Sequence, residues 1–180
     1  MALTPKKISD ISKKAATATL QDLADKYVAG KMKIGEFSAY FLTELKHEYI
    51  RQFLYAYGDH KTMLKRDWGI LGNALRKQYK YADNMLEELH KGNISSKELV
   101  RRVNLYMESV DSMFERALEL RKEKDGYTLE KWIINPMAEN CDDCLALARK
   151  GWMPIGSLPT PSDGSTQCMN NCKCHKAYRK

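Results

Sequence analysis

Leu99, Val103, Tyr106, Val110, Met113, Ala117 and Leu120 recur at alternating steps of four and three, with polar residues filling most positions between them. That spacing keeps one face of a helix apolar, because a turn takes 3.6 residues. The start of the helix is also legible. Ser95 can accept the backbone N–H of Glu98, whose carboxylate can reach back to Ser95, and Ile94 and Leu99 are placed for a hydrophobic staple. Gly92 is placed to end the helix before it, which carries Leu71, Leu75, Tyr79, Ala82, Leu86 and Leu89 on one stripe. Two amphipathic helices joined by "KGNIS" predict an αα-hairpin, since neither stripe can be buried without a partner.

Upstream, Phe37, Phe41, Leu45 and Tyr49 follow helical steps, after a shorter helix around Leu20, Leu23, Tyr27 and Val28. The aromatic stripe reads as core. A faint register at an offset of 62 aligns Gly30 with Gly92, Glu36 with Glu98 and Phe41 with Val103, weak support for two stacked hairpins. The pattern predicts a mainly α fold: an antiparallel helical bundle of stacked αα-hairpins with a small irregular cysteine-rich C-terminal module. The expected divisions are a basic N-terminal arm over residues 1–14, a helical bundle over 15–130 and a cysteine-rich tail over 131–180.

Composition narrows the class. With 180 residues, 43% of them apolar, the chain can bury one core and carry a small appendage. No run of apolar residues is long enough to cross a membrane, and lysines occupy the opening "MALTPKKISDISKKAATATL" where a signal peptide needs an apolar stretch. A soluble chain made in the cytoplasm is the expectation. The net charge of +7 is uneven: residues 1–14 hold four Lys against one Asp, and residues 141–180 hold six Lys or Arg against three Asp. Two basic ends suggest an anionic partner, with a disordered, solubilising N-terminal arm as the plainer reading. His47, His60 and His90 are scattered with no HExxH spacing, and no G-x-S-x-G elbow occurs, so no catalytic constellation emerges.

All five cysteines lie in the last 40 residues: Cys141 and Cys144 form a CxxC, and Cys168, Cys172 and Cys174 follow, with His175 adjacent. An odd number cannot pair completely within one chain, and a reducing cytoplasm disfavours disulfides. Metal is the better candidate and zinc the first choice, with disulfides formed after release from the cell as the alternative. Thiolates two residues apart can grip an ion from a knuckle, and a returning loop completes a tetrahedron. Cys141 to Lys150 reads as such a knuckle running into a short helix ended at Gly151, whose N-terminus favours negative sulfur. Cys141 and Cys144 belong to every ligand set. Cys172 and Cys174 share one side of an extended strand, Cys168 can join either, and His175 is in reserve. The loop "KGWMPIGSLPTPSDGST" has few apolar anchors, and Trp152, Met153, Ile155 and Leu158 are expected to pack on the helical body.

The stretch "NPMAENCDDCLALARKGWMPIGSLPTPSDGSTQCMNNCKCHKAYR" resembles the C-terminal region of tailed-phage head morphogenesis proteins, the Mu-type minor head protein family. The family pattern runs from a CxxC through a Gly- and Pro-rich loop to an Asn-Cys-Arg-Cys element and a short basic ending. Asn171, Cys172, Lys173 and Cys174 match that element with Lys in place of Arg, and Cys168 stands near a position often held by His. Minor head proteins are usually longer, so the resemblance implies a reduced relative. It implies a structural virion protein with no enzymatic activity, present in many copies of a symmetric assembly. Its partners would be capsid or portal proteins and packaged DNA, in the host cytoplasm during assembly. The rival is a zinc protein binding nucleic acid in packaging or regulation, with Lys173, Lys176, Arg179 and Lys180 on phosphate. A zinc hydrolase using Glu139, Asp142 or Asp143 as base ranks last, because four or five thiolates close the coordination shell.

Overall fold

The computed structural model describes residues 3–180. Five helices build the body: α1 (Pro5–Val28), α2 (Ile34–Tyr57), α3 (Lys65–His90), α4 (Ser96–Ser109) and α5 (Asp111–Lys124). The tail adds β1 (Leu129–Ile133), α6 (Asp142–Arg149), β2 (Met153–Pro154) and β3 (His175–Arg179). The fold is mainly α, as the periodicity predicts. α2 runs through the centre, packed against α1, α3 and α5, while α1 also lies along α4. The core joins Leu20, Phe37, Phe41, Leu45, Phe53, Leu99, Val103, Val110 and Ala117, all buried. Among the described residues, no helix is long and apolar enough to cross a membrane.

The basic arm is not an arm. Met1 and Ala2 lie outside the described residues, but from Pro5 onward the segment is the first half of α1. Thr4 caps it by accepting the N–H of Lys7 at 3.3 Å, and Pro5 occupies the first turn, where its missing N–H costs nothing. Its buried contacts are small and polar, which hides them from a hydrophobic pattern. Gln52 Nε2 donates to the Ser9 carbonyl at 3.0 Å, and Ser12 donates to Glu48 at 2.9 Å. Lys13 bridges Glu108 at 2.9 Å and Asp111 at 2.7 Å, so charge expected to face a partner is spent inside the fold.

The long helix predicted from Ser95 divides at Val110 into α4 and α5. Ser109 Oγ donates to the Tyr106 carbonyl and Ser112 Oγ to the Ser109 carbonyl, both at 2.7 Å, and such side chains compete with the helical ladder and bend it. Half of the expected capping box forms. Ser95 accepts the Glu98 N–H at 3.3 Å, but the Glu98 carboxylate turns to Arg101 and Arg102, where charge-assisted bonds of 2.7–2.8 Å are stronger. α2 ends at Gly58 (φ 91°), a conformation that glycine adopts without strain, and a side chain there would collide with the Arg121 guanidinium, which donates to the Tyr57 carbonyl at 2.9 Å.

The tail is more regular than expected. Its strands form an antiparallel sheet in the order β2-β1-β3, with Glu130 opposite Tyr178 and Trp132 opposite Lys176. β1 pairs with the tail, so the module begins at Leu129 and the boundary expected after residue 130 falls inside a strand. Met153 and Leu158 pack with Trp132 and the cysteines, not on the helical body, and Trp152 stays exposed beneath Arg179.

Candidate metal centre

Three local structures bring the sulfurs together. Beyond β1, a turn at Asn135–Ala138 delivers Cys141 to the N-cap of α6, and Cys144 follows inside the first turn of that helix. The Pro- and Gly-rich loop is held by Ser162, which adopts a positive φ of 63° and donates from Oγ to the Cys172 carbonyl at 2.9 Å. A single turn of 3-10 helix at Met169–Asn171 separates Cys168 from Cys172. The next residues alternate: Cys172, Cys174 and Lys176 point inward, while Lys173 and His175 are exposed.

Cys168 Sγ lies 3.5 Å from the sulfurs of both Cys141 and Cys144, and Cys144 Sγ lies 3.7 Å from Cys172. Cys141, Cys144 and Cys168 form one group with sulfurs within 4.8 Å, and Cys144, Cys172 and Cys174 a second. All five expected residues therefore converge, and Cys144 belongs to both groups. Every cysteine is free. A disulfide needs sulfurs about 2.05 Å apart. Sulfurs at tetrahedral corners around an ion with bonds of about 2.3 Å stand about 3.8 Å apart. The cluster could thus hold a thiophilic metal ion, and its donor set is the soft one such ions select.

The electrostatics follow the knuckle. Burial acts to raise the Cys141 thiol, but hydrogen bonding with Cys144 and Cys168 together outweighs that effect and holds it below its ordinary value. Burial dominates at Cys144 and Cys168 and pushes both thiols up. Trp132, Leu147 and Leu158 cover the cluster with apolar surface.

Other candidates fall away from this centre. His175 faces out on the opposite side of its strand from Cys174 and joins neither sulfur group. Glu139 and Asp142 are exposed, and Asp143 accepts the Gln167 N–H at 2.9 Å, tying α6 to the returning loop.

Sequence reasoning missed the second anchor of the module. Lys176 is fully buried and donates from Nζ to Glu119 on α5 at 2.5 Å, to Glu130 on β1 at 3.0 Å and to the Leu158 carbonyl at 3.1 Å. Glu130 also accepts the Leu158 N–H at 2.6 Å. This network joins sheet, loop and bundle through one ammonium. Its only trace in the sequence is a Glu at an inward position of "LEKWI". Lys173 pairs with Glu108 at 3.0 Å, a second tie to the body. Set against protein-family models, curated proteins and solved structures, the chain matches none.

Proposed function

We propose that the protein is a structural component of a tailed-phage head, in which a helical body carries a zinc-closed docking module. The observation that carries the reading is the convergence of five cysteine sulfurs with no histidine or carboxylate among them. An all-sulfur shell has no open position and no neighbouring base, so it serves architecture and not hydrolysis. Zinc is the ion such a site takes with least demand on redox poise or geometry. The resemblance of "NNCKCHKAYR" and the CxxC to minor head proteins supplies the setting. Capsid or portal proteins are the partners, and many copies in a symmetric assembly suit a small rigid domain.

The competing phosphate-binding reading loses one of its four cations, since Lys176 is enclosed by Glu119 and Glu130. Mass spectrometry of purified, washed particles tests the proposal: the protein is expected in the virion at a fixed ratio to the portal or capsid protein. Its absence from such particles, or DNA binding that weakens steeply with salt in a filter assay, favours the nucleic-acid protein instead.

A further inference from the structure

The zinc reading leaves one sulfur over, and the inference that follows rests on that reading. A structural zinc ion takes four protein ligands, whereas the five thiols form two groups of three that share Cys144. Three sulfur–sulfur hydrogen-bond contacts stand at 3.5–3.7 Å, near the tetrahedral edge: Cys141 with Cys168, Cys144 with Cys168, and Cys144 with Cys172. Cys174 is in none of them, although it lies within 4.8 Å of Cys144 and Cys172. Its sulfur faces Oδ1 of Asn140 at 3.6 Å.

The direction of that amide is fixed from its other end. Asn140 Nδ2 donates to the carbonyls of Asn135 and Ala138, both at 2.9 Å. A carbonyl accepts only from a donor, so the amide cannot be turned around, and its oxygen is left toward Cys174. That oxygen offers lone pairs and no hydrogen. An S–H group satisfies it; a metal-bound thiolate, which has only lone pairs, would be repelled.

We infer that Cys141, Cys144, Cys168 and Cys172 form the ligand set, and that Cys174 is a non-ligating thiol whose S–H is held on Asn140. Asn140 is then a positioning residue: one side chain ties the turn before the CxxC to the strand after the last ligand. The arrangement explains how two cysteines that share a face, Cys172 and Cys174, avoid competing for one coordination position.

The test uses the full chain loaded with zinc. Zinc per chain and its release to a chelator are measured for the parent and for five single Cys→Ser variants. Cys174→Ser, whose hydroxyl can still donate to Asn140, is expected to retain one zinc per chain and release it at the parent's rate. Cys141→Ser, Cys144→Ser, Cys168→Ser and Cys172→Ser are each expected to lose stoichiometric zinc. Cys174→Ala, in which no group at that position can ligate, is also expected to retain one zinc per chain, and this decides the matter if Cys174→Ser does not fold. Loss of zinc from the folded Cys174 variants with retention in Cys172→Ser overturns the assignment alone. A parent chain that takes up no zinc overturns the zinc reading and the assignment together.

Discussion

The helical body and the cysteine module are cohesive for different reasons. The body buries Phe37, Phe41, Leu45, Phe53, Leu99 and Val103 completely, and apolar area of this kind stabilises by about 25 cal/mol per Å² removed from water. The module has Trp132, Leu147 and Leu158 as its buried oily side chains, with three buried cysteines beside them. About 50 residues cannot stabilise a fold on so small a core, and domains of this size rely on metals, disulfides or docking. Here the Lys176 network docks the module on the body, and the sulfur cluster could hold a metal ion that closes it. The lesson is that one chain can divide its stability between a non-directional force and a few directional bonds, and that the two halves should fail separately.

Metal removal is the sharpest way to break the comparison. Structural zinc sites contribute apparent binding free energies of about 10–16 kcal/mol in small peptides, and that energy is folding energy. With chelator, residues 129–180 should lose hydrogen-exchange protection while α1 to α5 keep theirs and the helical circular dichroism persists. Simultaneous loss of protection in both regions would show a single cooperative unit.

Next in size is the joint between the regions. Lys176→Met leaves Glu130 buried without a cation and Glu119 with Arg116 as its remaining partner, and breaking a buried pair costs about 3–5 kcal/mol. Unlike chelation, this change should loosen the module from α5 while the zinc content stays at the parent's level, read by limited proteolysis alongside elemental analysis. In the opposite direction, Phe41→Ala should cost about 3–5 kcal/mol of body stability in denaturant titrations through the cavity it leaves. Zinc content should again be unchanged, because Phe41 is in the other core.

The same contrast governs what could be read in advance. Large apolar residues at helical steps announce α2, α3, α4 and α5, and cysteine is rare enough that a CxxC with three more stands out. The first half of α1 gave no such signal, because Ser9, Ser12, Lys13 and Ala16 make its contacts. β1 was hidden more deeply. In "LEKWI" the inward residues are Glu130 and Trp132, so a charge occupies a core position, and only Lys176, 46 residues later, gives it a reason to be there. Periodicity also could not show the break at Val110, where serine hydroxyls take carbonyls from the ladder. Nor could spacing choose among five cysteines, since the orientation of Asn140 exists only in the folded chain.

The smallest effect probes the seam itself, at Glu115 on α5. Burial pushes this carboxyl up to about 7, against the opposing pull of Lys6 and of Lys176, with Asp111 adding to the rise. Its Oε2 has no hydrogen-bond partner among the described residues. Between about pH 4.5 and pH 7 the folded protein therefore holds a proton that the unfolded chain has released. The unfolded state binds fewer protons in that window, so stability falls as pH rises through it, by at most about 3 kcal/mol. Glu115→Gln keeps the shape and removes the charge. The variant should match the parent near pH 4.5 and melt at a higher temperature than the parent at pH 8. A parent-minus-variant difference that stays flat with pH would mean that Lys6 and Lys176 already compensate Glu115, and that the seam is electrostatically closed.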